Sequence, residues 1–412
     1  MSKNPQELIQ ERIARQMAAI NLEIPDKVPT GAVLFALGGD FVADYSGLTQ
    51  AEFAHDYEKA LRAIQKYNED FPFDVAGGAL MGLDGQAFGL AFLGDELAPS
   101  TAFISGPIHK ALGPNGYFKF PGNEISDNSA PQFLGGTFME PEEYDLLAKD
   151  PVKFIAETIL PRVIEGLDTP KNAMATWTRF GVEVQRFQDI NIKIVMSNAQ
   201  QGFGFIPFGI THNPMDVIAD FLRGITNTVL DTRRHPERLK AACQAMVDPM
   251  VEFALTYKKM GAEFVFIPLH MNEYLSPKLY KEFYWPTLKE IIIRLYEKGM
   301  RSLVFFEGHH EPHLETILDL PRGWGVAYFE KTDIVMAKEV LKNNCCVAGG
   351  LPIGLVVGGT PESIDAHIKD LFEKVKPGGG FILLPSIGAA PAGTPPQNIR
   401  AVIDAVEKYG YY

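Results

Sequence analysis

Beyond residue 263 the chain alternates short, uninterrupted apolar runs with stretches of helical periodicity, and this alternation constrains the fold more than any other feature. The runs are Phe264–Leu269, then 303–306, 326–329, 346–350 and 381–384. Helical patterns follow at 277–298, 313–320 and 334–342, from Pro361 toward Gly378-Gly379-Gly380, and from Pro396 through Lys408. Ser276-Pro277 supplies an N-cap and a first-turn proline. Thr394 and Gln397 have the spacing of a capping box. No run alternates with polar residues, so each strand is expected to be covered on both faces, as in a parallel sheet flanked by helices. Earlier runs at 32–37, 74–80 and 192–197 bring the expected strands to eight. That number predicts a (β/α)8 TIM barrel formed as one domain over residues 1–412, with an N-terminal helical extension. An open doubly wound sheet is the alternative, although no G-x-G-x-x-G fingerprint links a strand to a helix. Residues 82–136 are rich in Gly, Pro and Asn and are expected to form an irregular loop excursion from the barrel.

Composition excludes several functions. Acidic side chains number 51 against 38 basic ones, a net charge of −13, and no Lys/Arg cluster offsets it. Nucleic acid, which needs a phosphate-neutralising face, is not an expected partner. Cys243, Cys345 and Cys346 cannot build a disulfide framework, which points to a reducing, cytoplasmic compartment. The polar opening carries no signal-peptide pattern, and no apolar stretch is long enough to span a membrane.

In a barrel, reactive groups sit at the C-terminal ends of the strands. The densest cluster there is Glu307-Gly308-His309-His310-Glu311-Pro312-His313. A solvated loop explains a single histidine at such a position, but it explains two Glu and three His within seven residues less well. Glu307 and His309 point to one side of an extended segment, and they are the expected metal ligands. Glu330, His270 and Glu273 lie at neighbouring strand ends. Any of them could supply the third ligand that a catalytic zinc site requires, and His270 and Glu273 could instead serve as a general acid. Asp40, after Gly38-Gly39, is a candidate proton donor, although turn chemistry also favours Asp there. Arg179, Arg186 and Arg223 could bind an anion, although surface pairing is the commoner fate of arginine. Cys345 and Cys346 open a strand and are expected to be buried small apolar residues.

Several segments together resemble the uroporphyrinogen decarboxylase superfamily, and within it the corrinoid-dependent methyltransferases. They are residues 12–29, closing on Pro25-Asp26-Lys27-Val28-Pro29, then Gly136-Thr137-Phe138-Met139 through Glu143-Tyr144-Asp145 and Asp150-Pro151. Leu275-Ser276-Pro277 with Lys281-Glu282-Phe283 follows, and then Gly378-Gly379-Gly380-Phe381-Ile382-Leu383 with Thr394-Pro395-Pro396-Gln397-Asn398. The resemblance implies a (β/α)8 barrel, often paired as a homodimer.

The departures from the family pattern bear on function. The decarboxylase grips a tetrapyrrole's carboxylates through an Arg-rich N-terminal segment, but residues 35–45 contain no Arg or Lys. The thiol-using methyltransferases bind zinc through His-x-Cys and a distant Cys. Here the matching positions read Glu307-Gly308-His309 and Ser386-Ile387. A zinc held by Glu307, His309 and Glu330 would be a stronger Lewis acid, suited to an oxygen ligand. The expectation is therefore a methyltransferase moving a methyl group from a small methylated substrate, a methyl ether, to the Co(I) corrinoid of a partner protein. His270, Glu273 and Asp40 would be its catalytic candidates. The alternatives are a decarboxylase or lyase acting on a small carboxylic acid, with Asp40 and His270 as acid and base, and a non-catalytic barrel that serves as a binding partner.

Overall fold

The computed structural model describes residues 3–31, 39–77, 82–387 and 389–412. The expected strand at 32–37 and the end of the one at 74–80 lie outside the described residues. Six strands carry the frame. In chain order they are β1 (Phe208–Ile210), β2 (Phe264–Leu269), β3 (Arg301–Phe306), β4 (Gly325–Phe329), β5 (Cys346–Leu351) and β6 (Phe381–Pro385). The chain divides into two compact units: Met1–Leu80, Ile190–Pro207 and Arg301–Tyr412 form one, and Met81–Asp189 and Phe208–Met300 form the other.

In the first unit β3 to β6 run parallel in chain order. Phe306 stands beside Phe329, Val326 beside Cys346, and Leu383 beside Gly349. Nearly every residue of these strands is buried, as apolar runs without alternation require. Gly325 is obligatory, because a Cβ there would stand 1.8 Å from the Ser302 carbonyl oxygen. Beyond β6 the order continues to the N-terminal segment. Thr30 bridges Leu383 in parallel, Leu383 N donates to Pro29 O at 3.0 Å, and Asp74 N donates to Thr30 O at 3.2 Å. Thr30 is thus joined to β6, and Asp74 to Thr30.

In the second unit β1 and β2 are parallel, with Phe208 beside Phe264. The excursion at 82–136 is more ordered than expected. It holds the helices Gln86–Ala91 and Gly106–Leu112 and two short antiparallel pairings, Leu83–Asp84 with Phe103–Ile104 and Phe118–Lys119 with Gln132–Phe133.

The expected strand at 192–197 is a correction, because those residues lie inside the helix Pro170–Gln200. Ile190, Ile194 and Ser197 are buried while Ile192 and Met196 are 60% exposed, so burial recurs at helical rather than strand spacing. The strand of that position is β1. Expected helices are broken in two places. Residues 277–298 contain a π turn, Tyr280–Tyr284, between Pro277–Leu279 and Trp285–Glu297, and residues 313–320 belong to a 3-10 stretch, Glu311–Asp319.

The helix Pro5–Ile20 begins with a complete capping box between Asn4 and Glu7. It delivers Arg15 to Asp74 at 2.5 Å, both side chains being buried, and to Asp26 at 2.6 Å. Asp74 also accepts from Thr30 N and Thr30 Oγ1. Removing one partner of such a pair leaves an uncompensated buried charge. Arg15→Met should therefore lower stability by about 3–5 kcal/mol, read as a reduced urea midpoint with an unchanged slope.

Candidate active site

In the second unit, two strand ends bring together a set of carboxylates, imidazoles and a tyrosine. β1 is followed by Thr211-His212-Asn213, and the Asn213 side chain accepts from Met215 N at 2.8 Å, starting the helix Pro214–Val217. This helix runs into a π turn, Ile218–Arg223. Asp216 and Asp220, four residues apart, share the helix face toward β2. β2 ends at Leu269, and His270 opens the 3-10 turn Met271–Tyr274.

Asp216 has no exposed surface. Its Oδ1 accepts from the backbone N–H groups of Met271 at 2.8 Å and His270 at 3.2 Å, and its Oδ2 accepts from the Tyr284 hydroxyl at 2.5 Å. Burial pushes its carboxyl up to about 7, and the nearby Asp220 adds to the rise. The His270 charge, the Tyr284 hydroxyl and the Met271 N–H hold it from rising further. The His270 imidazole is about one-third exposed and meets the buried Asp220 carboxylate, Nδ1 to Oδ2, at 2.6 Å. An imidazole whose Nδ1 is held by a carboxylate has a set orientation, with Nε2 on the opposite edge of the ring.

A second imidazole–carboxylate contact lies beside β1. His212 is fully buried; its Nδ1 is 3.3 Å from Gln86 Oε1 and its Nε2 is 2.6 Å from Asp84 Oδ2. Asp84 is partly exposed, and its Oδ1 accepts from Gln86 N at 2.9 Å. Residues two apart thus hold both edges of one ring.

Of the residues expected from sequence, His270 belongs to this set. Glu273 follows in the 3-10 turn and is exposed. Asp40 is in the first unit, as the first residue of the helix Asp40–Tyr45, and burial raises its carboxyl. Glu307 lies just past β3 and is half-buried. Glu330 accepts from Gly308 N at 2.7 Å and faces Lys331 Nζ at 3.5 Å. The His309 side chain is 66% exposed and stands 3.6 Å from Glu311.

The expected zinc centre on Glu307, His309 and Glu330 is not shown. Among the described residues no three or more His, Cys, Asp or Glu side chains are grouped to hold a metal ion. The physical reason is local. Glu330 is used to hold the Gly308 turn, and His309 is turned outward to Glu311. His310 and His313 are buried instead, with ring centroids 5.1 Å apart, and burial holds the His310 imidazole well below its ordinary range and so neutral.

The three cysteines are buried as expected, and burial pushes Cys243 and Cys346 up to about 12, so they are thiols rather than thiolates. Arg223 pairs with the buried Asp231 at 2.9 Å, and Arg186 pairs with Glu183 at 2.8 Å.

Sequence reasoning missed Asp84, His212, Asp216, Asp220 and Tyr284. The available signal was Asn213-Pro214, a cap and first turn, followed by carboxylates at helical spacing.

The uroporphyrinogen decarboxylase (URO-D) family profile matches residues 194–409, just over half of the 412. The chain belongs to this family. The match takes in His212, Asp216, Asp220, His270 and Tyr284. Among curated URO-D relatives, the methylcobamide:CoM methyltransferase MtbA of Methanosarcina mazei is 24% identical over 40% of this chain and 49% of its own length. The methylated-thiol–coenzyme M methyltransferase of the same organism is 23% identical over 46% of this chain and 50% of its own. The chain thus spans about half the length of the curated relatives it matches. A solved structure, a methyltransferase from Methanosarcina mazei, superposes with a TM-score of 0.62 at 16% identity, covering 99% of both chains, and it shows a shared URO-D-like α/β barrel fold.

The raised carboxyl of Asp216 carries a stability signature. An acid whose folded value lies above its unfolded value, near 4, stabilises the fold fully below that value and loses this contribution as pH rises through about 7. Between pH 5 and pH 7 the wild type should lose stability relative to Asp216→Asn by on the order of 1 kcal/mol per pH unit. Paired urea titrations at each pH would show it, and parallel curves would contradict it.

Proposed function

We propose that this chain transfers a methyl group from a small methylated substrate, a methyl ether, to the reduced corrinoid of a separate protein. The relatives' printed names supply the methyl-transfer class. The observation that carries the site is the His270–Asp220 pair, a partly exposed imidazole oriented by a buried carboxylate at the end of β2.

The chemistry of the leaving group favours oxygen. When a methyl group leaves an ether, the C–O electron pair stays on oxygen as an alkoxide or phenoxide. Such a group is a much poorer leaving group than a thiolate unless it is protonated as the bond breaks. His270 would donate the proton from Nε2, with Asp220 stabilising the imidazolium beforehand. The methyl group would pass to the cobalt of the corrinoid, which enters as the methyl acceptor held by its own protein. The nucleophile there supplies the difficult chemistry, while the chain supplies position and a proton. The cysteines are buried thiols and offer no thiolate to the site. Glu330 accepts from Gly308 N and His309 stands by Glu311, and no step is routed through zinc.

The test is incubation with reduced cobalamin and parallel methyl ethers, methylamines and methyl thioethers, following loss of the Co(I) absorption. Turnover is expected with ethers. His270→Gln should lower kcat by roughly 100-fold to 10,000-fold. Glu307→Ala and His309→Ala should leave the rate within about threefold, as changes away from the reacting groups do. Transfer only from amines or thioethers would overturn the ether reading, and a fully active His270→Gln enzyme would overturn the site.

A further inference from the structure

We propose that Tyr284 and Asp216 are positioning residues for His270, acting together as a proton-dependent support beneath the turn that carries its imidazole. The inference rests on the reading of His270 as the proton donor and adds the groups that place it.

The geometry is specific. The backbone N–H groups of His270 and Met271 converge on one oxygen of Asp216, and Tyr284 donates to the other. The turn after β2 is thus tied to a side chain from the helix after β1. Tyr284 is itself held in place. It closes the π turn Tyr280–Tyr284, and its carbonyl accepts from Asn213 Nδ2 at 3.0 Å, the same Asn213 that caps the helix bearing Asp216. Two π turns therefore supply the support, one presenting Asp220 to the imidazole and the other presenting Tyr284 to Asp216. Single π turns inside helices occur frequently at functional sites.

The titratable groups around Asp216 are Asp220, His270, Tyr284 and Cys243, and Tyr280 faces Tyr284. Burial keeps Tyr284 and Cys243 protonated across the neutral range. That leaves Asp216, beside Asp220 and His270, to change charge there. An ionised Asp216 accepts all three hydrogen bonds strongly. A protonated one is a weaker acceptor and carries a proton of its own into a site where Tyr284 already donates. Gaining that proton should loosen the turn under His270, and losing it should tighten the turn.

The test is a pH titration of the His270 ring resonances by NMR, assigned with His270→Gln. The wild type should show the imidazole's own inflection and a second one near neutral pH. In Tyr284→Phe, which removes a hydrogen bond favouring the ionised carboxylate, the second inflection should move up by about one pH unit. In Asp216→Asn it should vanish. In the methyl-transfer assay Tyr284→Phe should lower kcat about tenfold, KM should stay within twofold, and the pH profile should shift in the same direction. Resonances and pH profiles in Tyr284→Phe that superpose on the wild type would overturn the proposal. If Tyr284→Phe fails to fold, Asp216→Asn decides alone, and retention of the second inflection there would overturn it. A protein that shows both inflections and transfers no methyl group would sink the functional reading and leave the positioning role standing.

Discussion

A carboxylate with no exposed surface is costly unless its oxygens are satisfied, and the ends of β1 and β2 are arranged to satisfy Asp216. Three donors from two different segments reach it, and none comes from its own helix. The cost of burying the charge thereby fixes the turn after β2, the position of Tyr284 and the backbone of His270. Asp220, one helical turn further on, then needs only its side chain to orient the imidazole. The imidazole is thus placed by hydrogen bonds to the main chain as well as by packing, and such placement tolerates little drift.

The fold was legible where the physics is local and repeated. Strands covered on both faces must be apolar throughout, and five such runs, from Phe264 to Leu384, coincide with observed strands. The pattern failed at 192–197, where Ile, Lys and Met mimic a strand in a window too short to expose the period. The burial of Ile190, Ile194 and Ser197 belongs to a helix of 31 residues. The short β1, Phe208–Ile210, has too few residues to announce itself. The π turns are also unreadable, since an extra residue in one turn leaves composition and periodicity almost unchanged.

The site was legible only through the rule that barrel strands end in chemistry. That rule singled out His270 at the end of β2, and it also singled out Glu307 to His313, where the described residues show no metal-capable group of three. Glu330 and Thr332 accept from the backbone of that loop, and the loop's most exposed histidine stands by Glu311. Asp216 and Asp220 escaped notice because they sit on a helix after the strand rather than at its tip. Their partners, Met271 and Tyr284 for Asp216 and His270 for Asp220, are 50 or more residues further along the chain. Contacts at that range leave no trace in spacing.

Membership of the URO-D family fixes the scaffold and leaves the chemistry to the groups placed on it. Among the described residues Glu307, His309 and Glu330 belong to no group of three or more metal-capable side chains. What converges is an imidazole and two carboxylates, one of them poised near neutrality by burial. Such a set moves protons well and stabilises a soft sulfur leaving group poorly. A methyl group leaving oxygen asks for a proton at the moment the bond breaks. In the proposed function that proton would come from His270.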